Sequence, residues 1–166
     1  MKLTDILPLE KWVELEKSVH QMSGLDANVF NIDGYRITDY KNWANRLCPA
    51  IKDTDRGQSY ICAVAHMNLA VIAQNTKKPV IEECDAGLMK LVVPIFVKNK
   101  FLGAFGACGL LLEGGEIDSF LVNKTTGIDE EEIEILSKNI GSITMATSEA
   151  VIAHIKAQIG SNIKEV

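Results

Sequence analysis

The sequence contains no long apolar run, no cluster of basic residues and few aromatic residues. Its 166 residues carry a net charge of -5, and 6% of them are aromatic. Polar residues interrupt each apolar stretch before the roughly 20 residues that a membrane-spanning helix needs. The scattered Lys and Arg residues offer no continuous surface for phosphates. We therefore expect no membrane span and no nucleic-acid partner.

Recognisable sorting and catalytic motifs are also missing. The N-terminus lacks the apolar segment and cleavage site of a secretory signal, so we expect a cytoplasmic protein. No GxSxG motif is present, and LGAFGACG matches neither a Walker loop nor a dinucleotide fingerprint. We predict that the chain is not an enzyme. The alternative is an enzyme with a reactive cysteine, Cys84, near Asp85 and His66.

The composition is that of one folded domain. Hydrophobic residues make up 47% of the chain and charged residues 23%, which is ordinary for a soluble globular protein. A chain of this length can bury a sizeable core. We predict a single domain over 1–166, with a core at about 8–122 and a C-terminal helical region at about 129–160.

Hydrophobic periodicity and turn residues predict a mixed order of helices and strands. The predicted elements are a helix over 9–23, a hairpin with strands 27–32 and 35–39, a loop or short irregular helix containing Cys48, a helix over 55–75, a strand over 79–83, two further apolar strands on either side of an Asn-Lys turn, and a helix from 130 to 158 with a break at Gly141-Ser142. This order indicates an α+β fold, a single antiparallel sheet flanked by helices. Amphipathic helices form both ends. The C-terminal one can equally pack on the sheet or pair with a second copy, and we expect a homodimer through the terminal helices. A separate signalling protein would then carry the output.

Four cysteines are the residues most suited to carry chemistry. They lack CxxC pairs, so the spacing of zinc ribbons, ferredoxins and c-type haem proteins is absent. Cys48 nevertheless lies in a polar loop, Cys84 at a strand end, and Cys62 one helical turn from His66. Together with Cys108, these side chains could bind a metal ion or an iron–sulfur cluster. Thiols that only fill space are the alternative, and for Cys108 both interpretations stay open.

A pocket for a small organic molecule is the second functional hypothesis. Sheets covered by helices commonly enclose a ligand between the two layers. The apolar walls of such a pocket would be Trp43, Tyr60, Met89 and Phe105, and the cysteines would then be structural.

One long segment resembles the sensory domains of the PocR type. It is CDAGLMKLVVPIFVKNKFLGAFGACGLLLE, and NVFNIDGYRIT, NRLCPAI, GQSYICAVAHMNLA and NTKKPVIEEC precede it in the order of that family. The likeness covers about residues 8–122. It implies a PAS-like sensor fold that serves transcription regulators, kinases and chemoreceptors. It also implies small organic effectors, including diols and hydrocarbon derivatives.

The resemblance also assigns three cysteines and shows two departures. By matching position, Cys48, Cys62 and Cys84 are the cysteine trio of the family. Asp85 replaces the histidine that usually follows the third cysteine, which weakens any ligand role at that position. Cys108 is an additional cysteine in the last strand, and it strengthens the prediction of a site with four thiolates, or with three thiolates and a histidine.

Overall fold

A computed structural model describes residues 1–163 of the chain. The end of the predicted domain, 164–166, lies outside the described residues. The helices are α1 (Leu3–Ile6), α2 (Leu9–Ser23), α3 (Leu47–Lys52), α4 (Asp55–Gly57), a π-helical segment (Gln58–Ala63), α5 (Val64–Thr76), α6 (Ser119–Thr126), α7 (Glu130–Ser137) and α8 (Met145–Ile163). The strands are β1 (Asp26–Asn31), β2 (Val80–Glu83), β3 (Met89–Val97), β4 (Lys100–Leu112) and β5 (Ser142–Ile143). None of the helices in residues 1–163 is long and apolar enough to span a membrane.

The strands form one open sheet in the order β1-β4-β3-β2, and all three pairings along it are antiparallel. The two-residue strand β5 adds a short parallel pairing at the end of β4. Helices cover the sheet, so the predicted α+β class with an antiparallel sheet flanked by helices is confirmed. The long strands β3 and β4 occupy the centre, which explains their nearly continuous apolar sequence.

The two faces of the sheet have different roles because successive strand residues point to opposite sides. One face carries Val29, Leu91 and Phe105, and the terminal helices α2 and α8 pack on it to form the main core. Trp12 and Ile155 are fully buried there. The other face is covered by α5 and the segments around it. A cavity large enough for a small ligand lies on this second face.

The predicted hairpin differs from the observed structure in its second strand. Helix α2 has the predicted bounds and ends at Gly24, whose φ of 80° is readily adopted by glycine. Residues 35–39, in contrast, form a single bridge between Phe30 and Arg36 instead of a strand. The Arg36 guanidinium donates hydrogen bonds to the backbone oxygens of Ala27 and Tyr40. Together with backbone hydrogen bonds from Asn31 N to the oxygen of Tyr35 and from Ile37 N to the oxygen of Val29, these side-chain bonds hold the segment beside β1.

Four further segments compare with the prediction as follows. The Cys48 segment, predicted as a loop or a short irregular helix, contains the short helix α3, whereas the acidic stretch before 129 contains helix α6, which was not predicted. The C-terminal helix is divided into α7 and α8 by β5, close to the predicted break at Gly141-Ser142. The helix predicted over 55–75 is present, but its first half is a π-helical segment.

Candidate functional site

The strand register places charged and sulfur side chains in one row on the α5 side of the sheet. Asp26 of β1 pairs with Cys108 of β4, and Cys108 pairs with Lys90 of β3. Directly paired residues project from the same face, so these three side chains are neighbours. In the next row, Asn28 lies opposite Gly106, which has no side chain to fill the space beside it.

Helix α5 and the π-helical segment cover this row. His66 is buried, and its ring lies 3.7 Å, centroid to centroid, from the ring of Phe30 in β1. Leu69 and Ala73 continue the same helix face and pack on Val92, which closes one end of the space. π-helical turns are uncommon and often occur at functional sites. Here the π-helical segment carries Cys62 to the edge of the space.

A cavity of about 470 Å³ lies between the sheet and this helix. Its size is within the range of small-molecule sites. The lining residues that bear on its chemistry are Asp26, Asn28, Trp43, Cys48, Lys52, Cys62, His66, Cys84, Lys90 and Cys108. A more open groove of about 800 Å³ adjoins the cavity and shares Trp43 and Lys52 with it.

All four cysteines of the chain line this one cavity, although four different segments contribute them. Cys48 comes from α3, Cys62 from the π-helical segment, Cys84 from the turn after β2 and Cys108 from β4. Each is a half-buried free thiol. Within residues 1–163, no three His, Cys, Asp or Glu side chains are already grouped closely enough to hold a single metal ion.

The local structure orients two of the thiols. Asn45 Oδ1 accepts a hydrogen bond from the backbone N of Cys48 at 2.7 Å. Its Nδ2 donates to Cys48 Sγ at 3.2 Å and to the carbonyl oxygen of Gly109 at 2.6 Å. Asn45 therefore connects Cys48 to the strand residue that follows Cys108. Cys84 is held by a hydrogen bond from its backbone N to the oxygen of Leu88.

Burial is the main influence on the thiol pKa values. It raises the pKa of Cys48 strongly, and the neighbouring thiol of Cys108 raises it further. Burial raises the pKa of Cys62 to about 11, partly offset by the ammonium group of Lys52. Burial also raises the pKa of Cys84, partly offset by backbone hydrogen bonds. The raised pKa values therefore favour the protonated thiols of Cys48, Cys62 and Cys84 at neutral pH.

Three buried polar atoms in the cavity wall have no hydrogen-bond partner among residues 1–163. They are Asp26 Oδ1, Asn28 Oδ1 and His66 Nδ1. Burial lowers the pKa of His66 to about 3, with smaller contributions from Lys90 and Lys52, so its imidazole is neutral. Burial raises the pKa of Asp26, and the positive charges of Arg36, Lys52 and Lys90 oppose this. Unpaired buried polar atoms are costly, which points to a ligand that satisfies them.

Of the four residues predicted as apolar walls, the cavity contains one. Trp43 lines it, and the ammonium groups of Lys41 and Lys52 lie 5.6 and 5.5 Å from its ring centroid. Met89 and Phe105 are fully buried in the main core on the opposite face of the sheet. Tyr60 is 59% exposed. The alternation of strand residues explains the two misplaced core residues, because a continuous apolar run does not reveal which face each one occupies.

Among the polar cavity residues that the sequence-based prediction missed are Asp26, Asn28, Lys52 and Lys90. Two signals for them were present. Polar residues alternate at the start of DANVF, and one lysine interrupts the apolar run LMKLVVPI. A polar residue within an otherwise buried strand frequently marks a site.

The arrangement around Cys84 does not resemble an activated nucleophile. No hydrogen bond joins Cys84 to His66 in the described chain, and Asp85 is not part of the cavity wall. An activated thiol requires a lowered pKa, whereas burial raises the pKa of Cys84.

Comparisons with known proteins identify the family. A solved structure, the GAF domain/HD domain protein from Geobacter sulfurreducens, aligns over 100% of both chains with 9% identity and a TM-score of 0.44. No curated protein matches the sequence. The family model of the sensory domain found in PocR matches residues 5–164. The match spans nearly the whole chain, and the chain therefore belongs to the family of PocR sensory domains.

Proposed function

We propose that this chain is a non-catalytic sensory domain in which Cys48, Cys62, Cys84 and Cys108 hold an iron–sulfur cluster or another thiophilic metal centre. The observation that carries the proposal is the convergence of all four cysteines on one cavity from four separate segments. Cysteines that served only as small core residues would have no reason to collect at the same cavity wall.

The chemistry of the residues fits a cluster better than a single ion. A single tetrahedral zinc ion requires thiolates about 2.3 Å from one point, and residues 1–163 contain no such group. A cluster has several metal atoms, each bound by a different cysteine, so its thiolates lie farther apart. Lys52 and Lys90 favour the thiolate form of Cys62 and would offset the negative charge of a thiolate-bound cluster. His66, whose Nδ1 has no partner, is a further candidate ligand.

When bound, such a centre would supply sensitivity to oxygen or redox state. The residues of the chain provide the response. Ligation of the four side chains would fix α3, the π-helical segment and the turn after β2 relative to β4. Strand β4 also carries Phe105, whose side chain packs in the core under the terminal helices. A shift of β4 would therefore reach α2 and α8, the helices that we propose contact a second copy or an output protein.

A small organic effector in the same cavity is the second candidate. The unpartnered atoms of Asp26, Asn28 and His66 favour it, because a metal centre bound by sulfur would leave Asp26 and Asn28 unsatisfied. This candidate does not require the cysteines to bind anything.

The first experiment is anaerobic purification followed by elemental analysis and an ultraviolet-visible spectrum. We expect iron with sulfide, or zinc or copper, in near-stoichiometric amount, and loss of the metal in Cys48→Ser. Cys48 is part of the cavity wall, and its replacement can disturb folding as well as metal binding. Far-UV circular dichroism must therefore show that the variant is folded. The metal content of His66→Asn is compared with that of His154→Asn. The second variant is the control, because the His154 ring forms a hydrogen bond with Ser18 away from the cavity. A colourless protein that binds no metal even after anaerobic reconstitution would refute the metal centre and leave the organic effector as the candidate.

A further inference from the structure

Two lysines in the cavity wall share one buried carboxyl group, that of Asp26, so at least one of the two positive charges is left without a counter-ion. Lys90 is 6% exposed and Lys52 is half-buried. The two ion pairs within residues 1–163 are Lys11 with Glu14 and Arg36 with Glu16, so neither cavity lysine takes part in one. A buried ammonium group without a compensating charge is unfavourable. The cavity therefore favours a ligand with a negative charge.

The same wall also contains unsatisfied hydrogen-bond acceptors. Asp26 and Asn28 are 5% and 3% exposed, and one side-chain oxygen of each has no partner among the described residues. A carboxylate oxygen and an amide oxygen can only accept hydrogen bonds. A complementary ligand must therefore bring a donor, such as a hydroxyl or an ammonium group.

The strand register fixes where these two requirements lie. Lys90 and Asp26 flank Cys108 in one row of the sheet, and Asn28 is two residues from Asp26 on the same face. Cation and acceptors are thus separated by the width of one strand. A small molecule with two polar groups on adjacent carbon atoms could contact the lysines with one group and the acceptors of Asp26 and Asn28 with the other.

We infer that the organic ligand of this cavity is a small hydroxycarboxylate or aminocarboxylate. Its carboxylate lies toward Lys90 and Lys52, and its hydroxyl or ammonium group donates to Asp26 and Asn28. The inference rests on the second candidate function, namely that the cavity binds an organic effector. A neutral diol would leave the two positive charges of Lys52 and Lys90 balanced by Asp26 alone, and a simple carboxylate would leave the two acceptors unsatisfied. An iron–sulfur cluster can offset the charge, but its sulfur atoms donate no hydrogen bonds.

Four closely related three-carbon compounds test the inference: lactate, propionate, 1,2-propanediol and alanine. Propionate lacks the hydroxyl group of lactate, and the diol lacks its carboxylate. Alanine replaces the hydroxyl group with an ammonium group. Titration calorimetry on the full chain, with the metal content of each sample measured separately, should show lactate or alanine binding at least about tenfold more tightly than propionate and the diol.

Substitutions assign the contacts. Lys90→Met should weaken lactate binding by about tenfold or more and leave diol binding largely unchanged. Lys100→Met, a change at an exposed lysine of β4, is the matched control. If Lys90→Met does not fold, Lys52→Met tests the same requirement for positive charge in the cavity wall. Asp26→Asn should weaken the preference for lactate over propionate.

The outcomes separate the inference from the proposed function. Binding of propionate as tight as that of lactate would overturn the donor requirement. Diol binding equal to or tighter than lactate binding would overturn the charge requirement, but it would support an organic effector in the cavity. If none of the four compounds binds, the inference is wrong, whereas the metal content of the same samples still decides the metal centre.

Discussion

At the scale of single residues, the buried thiols have a measurable property. Burial raises the pKa of Cys62 to about 11, so only a small fraction is thiolate at neutral pH. In the metal-free variant Cys48→Ser/Cys84→Ser/Cys108→Ser, the alkylation rate of Cys62 by iodoacetamide should rise about tenfold per pH unit from about pH 7 to 10. In guanidinium, where the same protein is unfolded, the alkylation rate should instead level off near about pH 9. A plateau near pH 9 in the folded protein would contradict the prediction.

Glu16 is the buried acid of the opposite face. Its Oε1 accepts hydrogen bonds from Val29 N at 3.1 Å and from the Thr38 hydroxyl at 2.6 Å, and Arg36 lies 3.7 Å away. Burial nevertheless raises its pKa from 4.5 to about 7. The folded protein therefore holds this proton more tightly than the unfolded chain does. The stabilising contribution is complete below about pH 4.5 and is lost as the pH rises through about 7.

Replacement of Glu16 by Gln should remove this pH dependence. The free energy of unfolding of Glu16→Gln, relative to wild type, should increase by on the order of 3 kcal/mol between about pH 4.5 and 7.5. Urea denaturation across this range measures it. Glu14→Gln, one exposed charge removed from the same helix, is the control. A constant difference between Glu16→Gln and wild type would refute the assignment.

Gly109 determines how closely the Cys48 segment approaches β4. Its φ is 104°, and an added Cβ would lie 2.7 Å from Ala44 Cβ and 3.3 Å from Asn45 Nδ2. Gly109→Ala should therefore cost about 2–4 kcal/mol and reduce metal retention, because Asn45 orients Cys48. Gly114→Ala is the matched control. Gly114 has a φ of 83° and nothing within 4 Å of an added Cβ. Gly114→Ala should therefore lower the free energy of unfolding by only about 1 kcal/mol. Equal losses in the two variants would show that the close approach is unimportant.

At the scale of elements, helix α8 is an integral part of the core. Val151, Ile155 and Ile159 form its buried stripe against the sheet. Ile155→Ala should lower the free energy of unfolding by about 3–4 kcal/mol, since it leaves a cavity in a packed interface. Ile135→Ala in α7 removes the same atoms from a side chain that is 47% exposed and should cost less than about 1 kcal/mol. Denaturant titration compares the two. A small effect at Ile155 would mean that α8 is only loosely attached.

The elements also differ in how well the sequence predicted them. Helix α2 was predicted with its observed bounds because its apolar period and Gly24 are both local signals. The second strand of the predicted hairpin is reduced to the bridge between Arg36 and Phe30, and beyond it the Thr38 side chain binds Glu16 on α2. The π-helical segment has no strong local signature either. Its Ile61 and Cys62 pack in the same cluster as residues of α3.

At the scale of the whole molecule, a bound metal centre should join segments that are distant in the sequence. If four thiolates hold it, the loaded protein should melt roughly 5–10 °C above the metal-free protein, because the ligand binds only the folded state. Scanning calorimetry before and after anaerobic chelation measures the difference. Cys48→Ser should abolish it. An equal melting temperature in both forms would contradict a centre that connects α3, the π-helical segment and β4.

The sequence by itself determined the family, the α+β class, the helix α2 and the four cysteines that now line one cavity. These depend on composition, on local periodicity and on residue types that are readable one segment at a time. The convergence of Cys48, Cys62, Cys84 and Cys108 required the tertiary structure, because their segments meet only after the strands pair.

The tertiary structure also decided which side of the sheet each strand residue occupies. A shift of one position moves a side chain to the opposite face, and the register therefore placed Met89 and Phe105 in the core and Asp26, Asn28 and Lys90 at the cavity. Pairing between distant strands sets that register. The polar residues in DANVF and the lysine in LMKLVVPI were local signals, but the apolar residues around them did not show which face each one occupies.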